Sequence, residues 1–325
     1  MSLNRFSSPA TADADSPAPS SDATARAESR VDGMAPTVSV IVPVRNDPVG
    51  IQRCVAALRR QTYPGDRVEI LVVDNDSTDG TFDVLTQLGV RALRERSTRN
   101  SYAARNRALA ESTGAVVAFT DADCTPCPGW IEAGARGILE RRADLVGGFV
   151  RFSFDGAPTG AQIWDASTNM QVETNIRTRG VAKTANLFVR REVVEAIGPF
   201  PVAAPSGGDV AWTRRATAAG FTLTFEPAAE VLHPARRLGA LAHKQLRVGR
   251  GQAALLDAGG AVRRALWLLL PPRPGELRDQ LRAAGHRPSH ALFLRVWTAA
   301  WVCRAATAAG ILPALPQARP TEFGS

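Results

Sequence analysis

The chain has 325 residues, 45% of them apolar and 22% charged, with a mean hydropathy of −0.10. That is globular composition, sized for one large domain or two modest ones. No run of 18 uncharged apolar residues occurs, no continuous apolar stretch opens the chain, and four cysteines form no disulfide framework. Neither a conventional spanning helix nor a secretory leader is expected, and a reducing cytoplasm is the expected setting. The net charge of +8 is segregated, with −2 over residues 1–36, zero over 37–231 and +10 over 232–325. Such a basic end suits a polyanion or an anionic membrane surface. Among the 39 basic residues only Lys183 and Lys244 are lysines, a bias that codon usage alone would explain.

Residues 1–36 are rich in Ala, Ser, Pro and Asp and read as a disordered tail, because they cannot offset the entropy of ordering. Val38-Ser39-Val40-Ile41-Val42-Pro43 is a β-branched run closed by proline and reads as a buried strand. Residues 48–61 have helical periodicity, with Val49, Cys54, Val55 and Leu58 on one side. Val68–Val73 is a second strand and runs into Asp74-Asn75-Asp76-Ser77-Thr78-Asp79-Gly80. A helix at about 80–88, a weak strand near 90–94, a helix at about 101–111 and a third strand, Ala115–Thr120, follow. Later come a helix starting near Val210 and a strand at 221–226. Continuously apolar strands alternating with helices signal a mostly parallel α/β sheet covered on both faces.

Ligands of such sheets bind beyond the carboxyl ends of the strands. Asp47 follows the first strand, the 74–79 cluster ends the second, and Asp121-Ala122-Asp123 ends the third, so carboxylates converge on one edge. Two carboxylates one residue apart can serve Mg²⁺ or Mn²⁺, which take oxygen ligands and complete their shell with substrate phosphates. Alone, Asp-Ala-Asp would read as an acidic turn, and its place beside a second acidic strand end favours the metal.

Val38–Asp47 (VSVIVPVRND), Leu71–Thr81 (LVVDNDSTDGT), Ala104–Gly114 (ARNRALAESTG) and Ala118–Asp123 (AFTDAD) resemble successive motifs of family-2 glycosyltransferases. Lys183–Phe200 and Gly207–Arg214 continue the resemblance, which covers about 37–235. It implies a Rossmann-like GT-A domain at 37–235, a basic helical extension at 236–315 and a tail at 316–325. It also implies inverting transfer of a sugar from a UDP, GDP or dTDP donor to an unidentified hydroxyl acceptor, with Mn²⁺ or Mg²⁺.

The resemblance assigns roles by position. Pro43 and Arg45 would line the nucleotide pocket, and Asp74 and Asn75 would meet the base, although many relatives have a second aspartate where Asn75 stands. Arg105 and Asn106 would lie near the donor, with an exposed surface charge as the other account of Arg105. Asp121 would face ribose and metal, Asp123 would be the principal metal ligand, and His233 would be either a further ligand or a structural histidine. Asp209 would be the catalytic base as well as a helix cap, with Gly208 replacing the first acid of an acidic pair. Asn186 and Trp212 would face the acceptor.

Trp130, Trp164 and Trp212 suit either a sugar cleft or core packing. Cys124-Thr125-Pro126-Cys127 lacks a second ligand pair and reads as incidental. Over 290–303, Leu292, Phe293, Val296, Trp297, Ala300 and Trp301 form one apolar helical face flanked by arginines. It suits packing on the catalytic domain, a homodimer contact, or peripheral contact at the inner membrane face. No motif supports nucleic-acid binding. A non-catalytic scaffold and a nucleotidyl-transfer enzyme are the competing readings.

Overall fold

The computed structural model describes residues 35–203, 206–253, 256–287 and 289–312. The expected strands form its centre. β1 (Val38–Val44) pairs in parallel with β2 (Val68–Asp74), β2 pairs in parallel with β3 (Arg91–Arg94), and β4 (Val116–Thr120) pairs in parallel on the other side of β1. Helices α1 (Pro48–Leu58), α2 (Thr81–Leu88) and α3 (Ser101–Leu109) make the crossovers. Every residue of β1 and β4 is buried. Alternation sends Val40 and Val42 to a core with Ile51, Val55 and Leu58 of α1, and sends Ile41 to a core with Tyr102 and Ala108 of α3. Each large aliphatic side chain so buried contributes about 1.5–3 kcal/mol.

β5 (Thr125–Pro126), α4 (Trp130–Glu140), β6 (Leu145–Ser153), α5 (Gly160–Thr168) and α6 (Val172–Arg179) come next, then β7 (Asn186–Arg190), α7 (Arg191–Ile197), α8 (Gly208–Ala218) and β8 (Leu223–Pro234). The eight-stranded sheet has the order β3-β2-β1-β4-β7-β6-β8-β5. β7 runs antiparallel to both β4 and β6, β5 is antiparallel to β8, and β6 and β8 are parallel. The architecture is the expected mixed α/β GT-A arrangement. Two expectations shift: the strand expected at 221–226 continues to Pro234, so His233 lies within β8, and α8 begins at Gly208. The chain leaves β1 toward β2 and β3 and returns to β4 on the opposite side. That reversal opens a crevice between the carboxyl ends of β1 and β4.

The basic segment is helical, as α9 (Leu238–Ala253), α10 (Ala258–Leu269), α11 (Pro274–Ala283) and α12 (His290–Ile311). From Ala35 onward the chain clusters as one compact unit. Val296, Ala300 and Cys303 of α12 are buried, so the packing reading holds for that part of the helix. Glycines set the closeness of this packing. A Cβ on Gly249 of α9 would lie 2.1 Å from the Thr307 carbonyl oxygen, and one on Gly310 would lie 2.1 Å from that of Leu246. A Cβ on Gly160 of α5 would stand 2.5 Å from the Arg295 backbone. The tail expected at 1–36 lies outside the described residues except for Ala35 and Pro36, whose carbonyl accepts from Tyr63 Oη at 2.6 Å. The tail at 316–325 also lies outside them.

Gly249→Ala should force α9 and α12 apart and cost about 1–3 kcal/mol. Gly239→Ala, with no atom within 4 Å of its added Cβ, should be neutral or slightly stabilising. Urea denaturation of the two variants beside the parent checks both.

Candidate active site

Two loops wall the crevice, and backbone-to-side-chain bonds join them. Asn46, at φ 51°, donates its N–H to Ser77 Oγ at 2.9 Å, and Thr78 N–H returns to Asn46 Oδ1 at 2.9 Å. Asp47 N–H donates to Thr81 Oγ1 at 3.1 Å, while Asp47 Oδ1 caps α1 by accepting from Gly50 N–H at 2.8 Å. Asp47 is therefore committed to the helix it starts. Pro43 is buried in β1, and Arg45 stands exposed at the loop tip. Asp74 is 2% exposed, and its Oδ1 is buried with no hydrogen-bond partner. Asn75 donates its amide to the carbonyls of Glu95 and Thr98 at 3.2 and 2.8 Å, so its N–H groups brace the β3–α3 loop.

At the end of β4, Arg105 is 3% exposed and donates from Nη2 to Asp121 Oδ1 at 2.5 Å. The exposed-charge account of Arg105 fails. Its guanidinium instead fixes one strand-end carboxylate from beneath. Asp123, on the same turn, has its Oδ2 3.5 Å from His233 Nε2. The His233 ring is fully buried, with Nδ1 2.8 Å from the Pro234 carbonyl oxygen. A carbonyl only accepts, so Nδ1 carries a proton, while Nε2 lies 3.0 Å from Arg236 Nη2 with Asp123 beside both. Asp123, Cys124 and His233 bring one donor atom each within 4.8 Å of one another. The Cys124 thiol is pushed well above its ordinary range, by burial first and then by the nearby charges of Asp123 and Asp121. Its Sγ–H donates weakly to Asp123 Oδ1 at 3.9 Å. The donors that fit a hard divalent cation are thus one carboxylate and one imidazole, with Asp121 beside them.

Asp209 lies in the first turn of α8, where the helix dipole favours a negative charge. Its Oδ1 accepts from Tyr102 Oη at 3.3 Å and from Val210 N–H at 2.9 Å, and its Oδ2 accepts from Thr184 N–H at 3.4 Å. Gly207 takes φ 84°, and a Cβ on Gly208 would stand 2.7 Å from the Tyr102 ring. Tyr102 occupies the space that a side chain at 208 would need.

Three expected contacts are corrected. Asn106 exchanges two backbone bonds with Phe200, at 2.9 and 2.8 Å, and so clamps the segment before α8 rather than meeting the donor. Trp212 is fully buried, stacks on Phe200 and donates to the Gly198 carbonyl at 2.7 Å, so no acceptor can reach it. Asn186 is fully buried too, accepting from Trp130 Nε1 and donating to the carbonyls of Phe149 and Ala229 at 2.9 and 2.8 Å. Those carbonyls flank the register shift between β6 and β8 at Gly148/Phe149, so the amide satisfies groups that the ladder leaves out. Trp130 is likewise core, and Trp164 packs half-buried beside Ala161 and Leu241.

The family model described as glycosyl transferase family 2 matches residues 39–198. Glycosyltransferase AglE of Haloferax volcanii is 46% identical over 291 residues, covering 85% of this chain and 95% of that protein. The chain belongs to glycosyl transferase family 2. A pre-mycofactocin glycosyltransferase of Mycobacterium tuberculosis is 27% identical over 254 residues, covering 72% of this chain and 52% of that one. Among solved structures, the mannosyltransferase PcManGT of Pyrobaculum calidifontis, in complex with GDP-Man and Mn²⁺, has a TM-score of 0.53 at 21% identity. That likeness covers 90% of this chain and 80% of the other, and it is one of fold.

For this family-2 enzyme, sequence reasoning missed Tyr102, Asp165, Lys183, Arg236 and Lys244. Asp165 of α5 is fully buried and accepts from Arg236 N–H at 2.9 Å, with Lys244 Nζ 3.9 Å from its other oxygen. Burial pushes the Lys183 ammonium down, against the pull of Asp209. One signal was present: the only lysines of an arginine-rich chain are the two half-buried beside the site.

Asn186→Ala should cost about 2–3 kcal/mol, because it strands buried carbonyls and an indole N–H. It should leave the acceptor KM unchanged. Denaturation and steady-state kinetics on the same preparation separate the two.

Proposed function

We propose that the protein moves a sugar from a nucleoside diphosphate to an acceptor hydroxyl with inversion at the anomeric carbon, assisted by Mn²⁺ or Mg²⁺. The observation that carries the reading is the oriented pair Asp123 and His233 at the switch-point crevice. His233 Nδ1 is engaged by the Pro234 carbonyl, and Nε2, which meets Arg236 Nη2 at 3.0 Å, lies 3.5 Å from Asp123 Oδ2. PcManGT, of the same fold, holds GDP-Man and Mn²⁺, which supports a nucleotide-sugar donor and a divalent cation. When bound, the cation would neutralise charge on the leaving diphosphate, held by Asp123 and His233 with Asp121 in reach.

The chain's own residues supply the rest. The unpartnered Asp74 Oδ1 would accept a hydroxyl or base N–H of the nucleoside, which removes the cost of a bare buried oxygen. Arg45 and Pro43 would line the same pocket. Arg105 keeps Asp121 aimed into the crevice. Asp209 takes the proton of the acceptor hydroxyl as its oxygen bonds to the anomeric carbon, while the bond to the diphosphate oxygen breaks and its electron pair leaves with the phosphate. Tyr102 Oη and the Val210 and Thr184 N–H groups orient that carboxylate.

A partner surface accompanies this reading. Leu266, Trp267, Leu269 and Leu270 at the end of α10 are 45–59% exposed, and Trp301 of α12 is 40% exposed. Trp301 Nε1 and the Arg304 guanidinium bond the carbonyls of Leu269 and Leu270, which makes the patch continuous. Arg264 and Arg304 lie over the Trp267 ring at 4.7 and 4.1 Å. Residues 257–304 carry eight arginines against three acids. Aromatic and aliphatic side chains rimmed by arginine fit an anionic bilayer surface. No described helix is long and apolar enough to cross a membrane.

Asp209→Asn should retain nucleotide binding and lose turnover by about 10²-fold or more. Asp123→Ala should also lose the Mn²⁺-dependent thermal shift with whichever of UDP, GDP and dTDP stabilises the parent. Full turnover in Asp209→Asn would remove the base assignment.

For the surface, the protein should sediment with phosphatidylglycerol-containing vesicles and not with pure phosphatidylcholine ones. Trp267→Ser with Leu270→Ser should abolish the difference. Binding indifferent to both lipid charge and these substitutions would leave no support for the membrane reading.

A further inference from the structure

Asp165, Arg236, Lys183 and Lys244 form a second charged cluster at the crevice, and nothing in the reaction described above uses it. Asp165 is fully buried on α5, with one oxygen taken by Asn169 Nδ2 at 2.6 Å and the other by the Arg236 N–H at 2.9 Å. Its own ion pairs are loose, at 3.6 Å to Arg236 Nη1 and 3.9 Å to Lys244 Nζ. Both of those nitrogens are buried without a hydrogen-bond partner. Buried cationic donors left bare are costly, and two side by side call for an acceptor between them. Lys244 and Arg236 Nη1 therefore share a carboxylate whose oxygens are already occupied, with Lys183 close enough to lower Lys244 further.

We propose that Lys244, Arg236 and Lys183 form a phosphate-binding site in the wall of the crevice, completed by helix α9 of the C-terminal extension. The proposal rests on the glycosyl-transfer reading and specifies how an anion is held there. A phosphoryl group supplies several acceptor oxygens and the opposite charge, which is what the bare Nζ and Nη1 lack. Its source is either the donor's diphosphate or a phosphate carried by the acceptor.

Lysine fits this place better than arginine does. A compact ammonium can turn its three donors to several phosphate oxygens, whereas a planar fork needs room to lie flat. The presence of lysine at 183 and 244, in a chain with 37 arginines, agrees with that demand. Burial is the first cause that pushes Lys244 down to about 7, and Arg236 pushes the same way, so an anion is needed to hold the full charge.

Arg236 links this site to the metal corner. Its Nη2 is 3.0 Å from His233 Nε2 and 3.4 Å from Asp123 Oδ2, so the guanidinium stands where a divalent cation would share the same two donors. The two positive charges compete for one place. Arg236 has to withdraw when the cation enters, and the phosphate gives it an anion to bind.

The test measures binding alone, with no sugar transfer, on the full chain and its Lys244→Met and Arg236→Met variants. Mn²⁺ affinity is read from the free-ion EPR signal, and inorganic pyrophosphate affinity by calorimetry. Lys244→Met should weaken pyrophosphate at least tenfold and leave Mn²⁺ alone unchanged. Arg236→Met should tighten Mn²⁺ while weakening pyrophosphate, a pair of opposite signs that general loss of structure cannot produce. Inorganic phosphate is then titrated into protein saturated with nucleoside diphosphate and Mn²⁺. Phosphate excluded by the nucleotide assigns the site to the donor, and Lys244-dependent phosphate binding beside it assigns the site to the acceptor. Pyrophosphate and phosphate affinities both within twofold of the parent in Lys244→Met, with an unchanged circular dichroism spectrum, would overturn the proposal. Absence of sugar transfer by the parent protein would overturn the reaction reading and leave these binding results standing.

Discussion

Negative charge crowded onto one edge of a parallel sheet is the constraint around which the rest of this molecule is arranged. Asp74, Asp121 and Asp123 arrive there because β2 and β4 both run parallel to β1, and Asp209 comes from the start of α8. Carboxylates this close raise one another's energy unless each has a partner of its own. The structure gives each a different one. Arg105 takes Asp121 from the core side, and Arg236 and His233 face Asp123. Backbone N–H groups and Tyr102 hold Asp209, and Asp74 keeps one oxygen bare. The differences in partner leave one bare oxygen at Asp74, one carboxylate beside an imidazole at Asp123 and one held by backbone N–H groups at Asp209.

The C-terminal helices belong to that electrostatic arrangement as well as to the packing. α9 and α12 approach to backbone contact through Gly249 and Gly310, and α12 reaches α5 over Gly160. α5 carries Asp165, and α9 carries Lys244. Close helix packing thus brings a cation from the basic segment to the wall of the crevice. Arg264 and Arg304 of the C-terminal helices instead lie over the Trp267 ring on an exposed apolar edge. One charge excess therefore has an inward use and an outward one.

The aromatic cluster of Phe119, Tyr102, Phe200 and Trp212 links the sheet to Asp209. Asn106 and the Trp212 indole hold the backbone at 198–200, just before the turn that leads into α8. Residues suited by type to touch substrate instead fix the segment that leads to Asp209. The same holds for Asn186, whose amide closes the irregular ladder between β6 and β8.

The sequence by itself determined the buried strands β1, β2 and β4, their parallel order and the acidic edge they create, because apolar periodicity and strand-end residues are local properties. Its resemblance to family motifs singled out Asp123 and His233, which the structure brings within 3.5 Å of each other. Only the tertiary structure decided which polar residues face the crevice. Asn106, Asn186 and Trp212 have the chemistry of binding residues, but carbonyls and rings 14 to 94 residues distant claim them. The cation cluster was equally hidden, since Asp165, Lys183, Arg236 and Lys244 meet through four separate segments. A residue's type is written locally, whereas its desolvation and its partner are set by what distant segments bring against it.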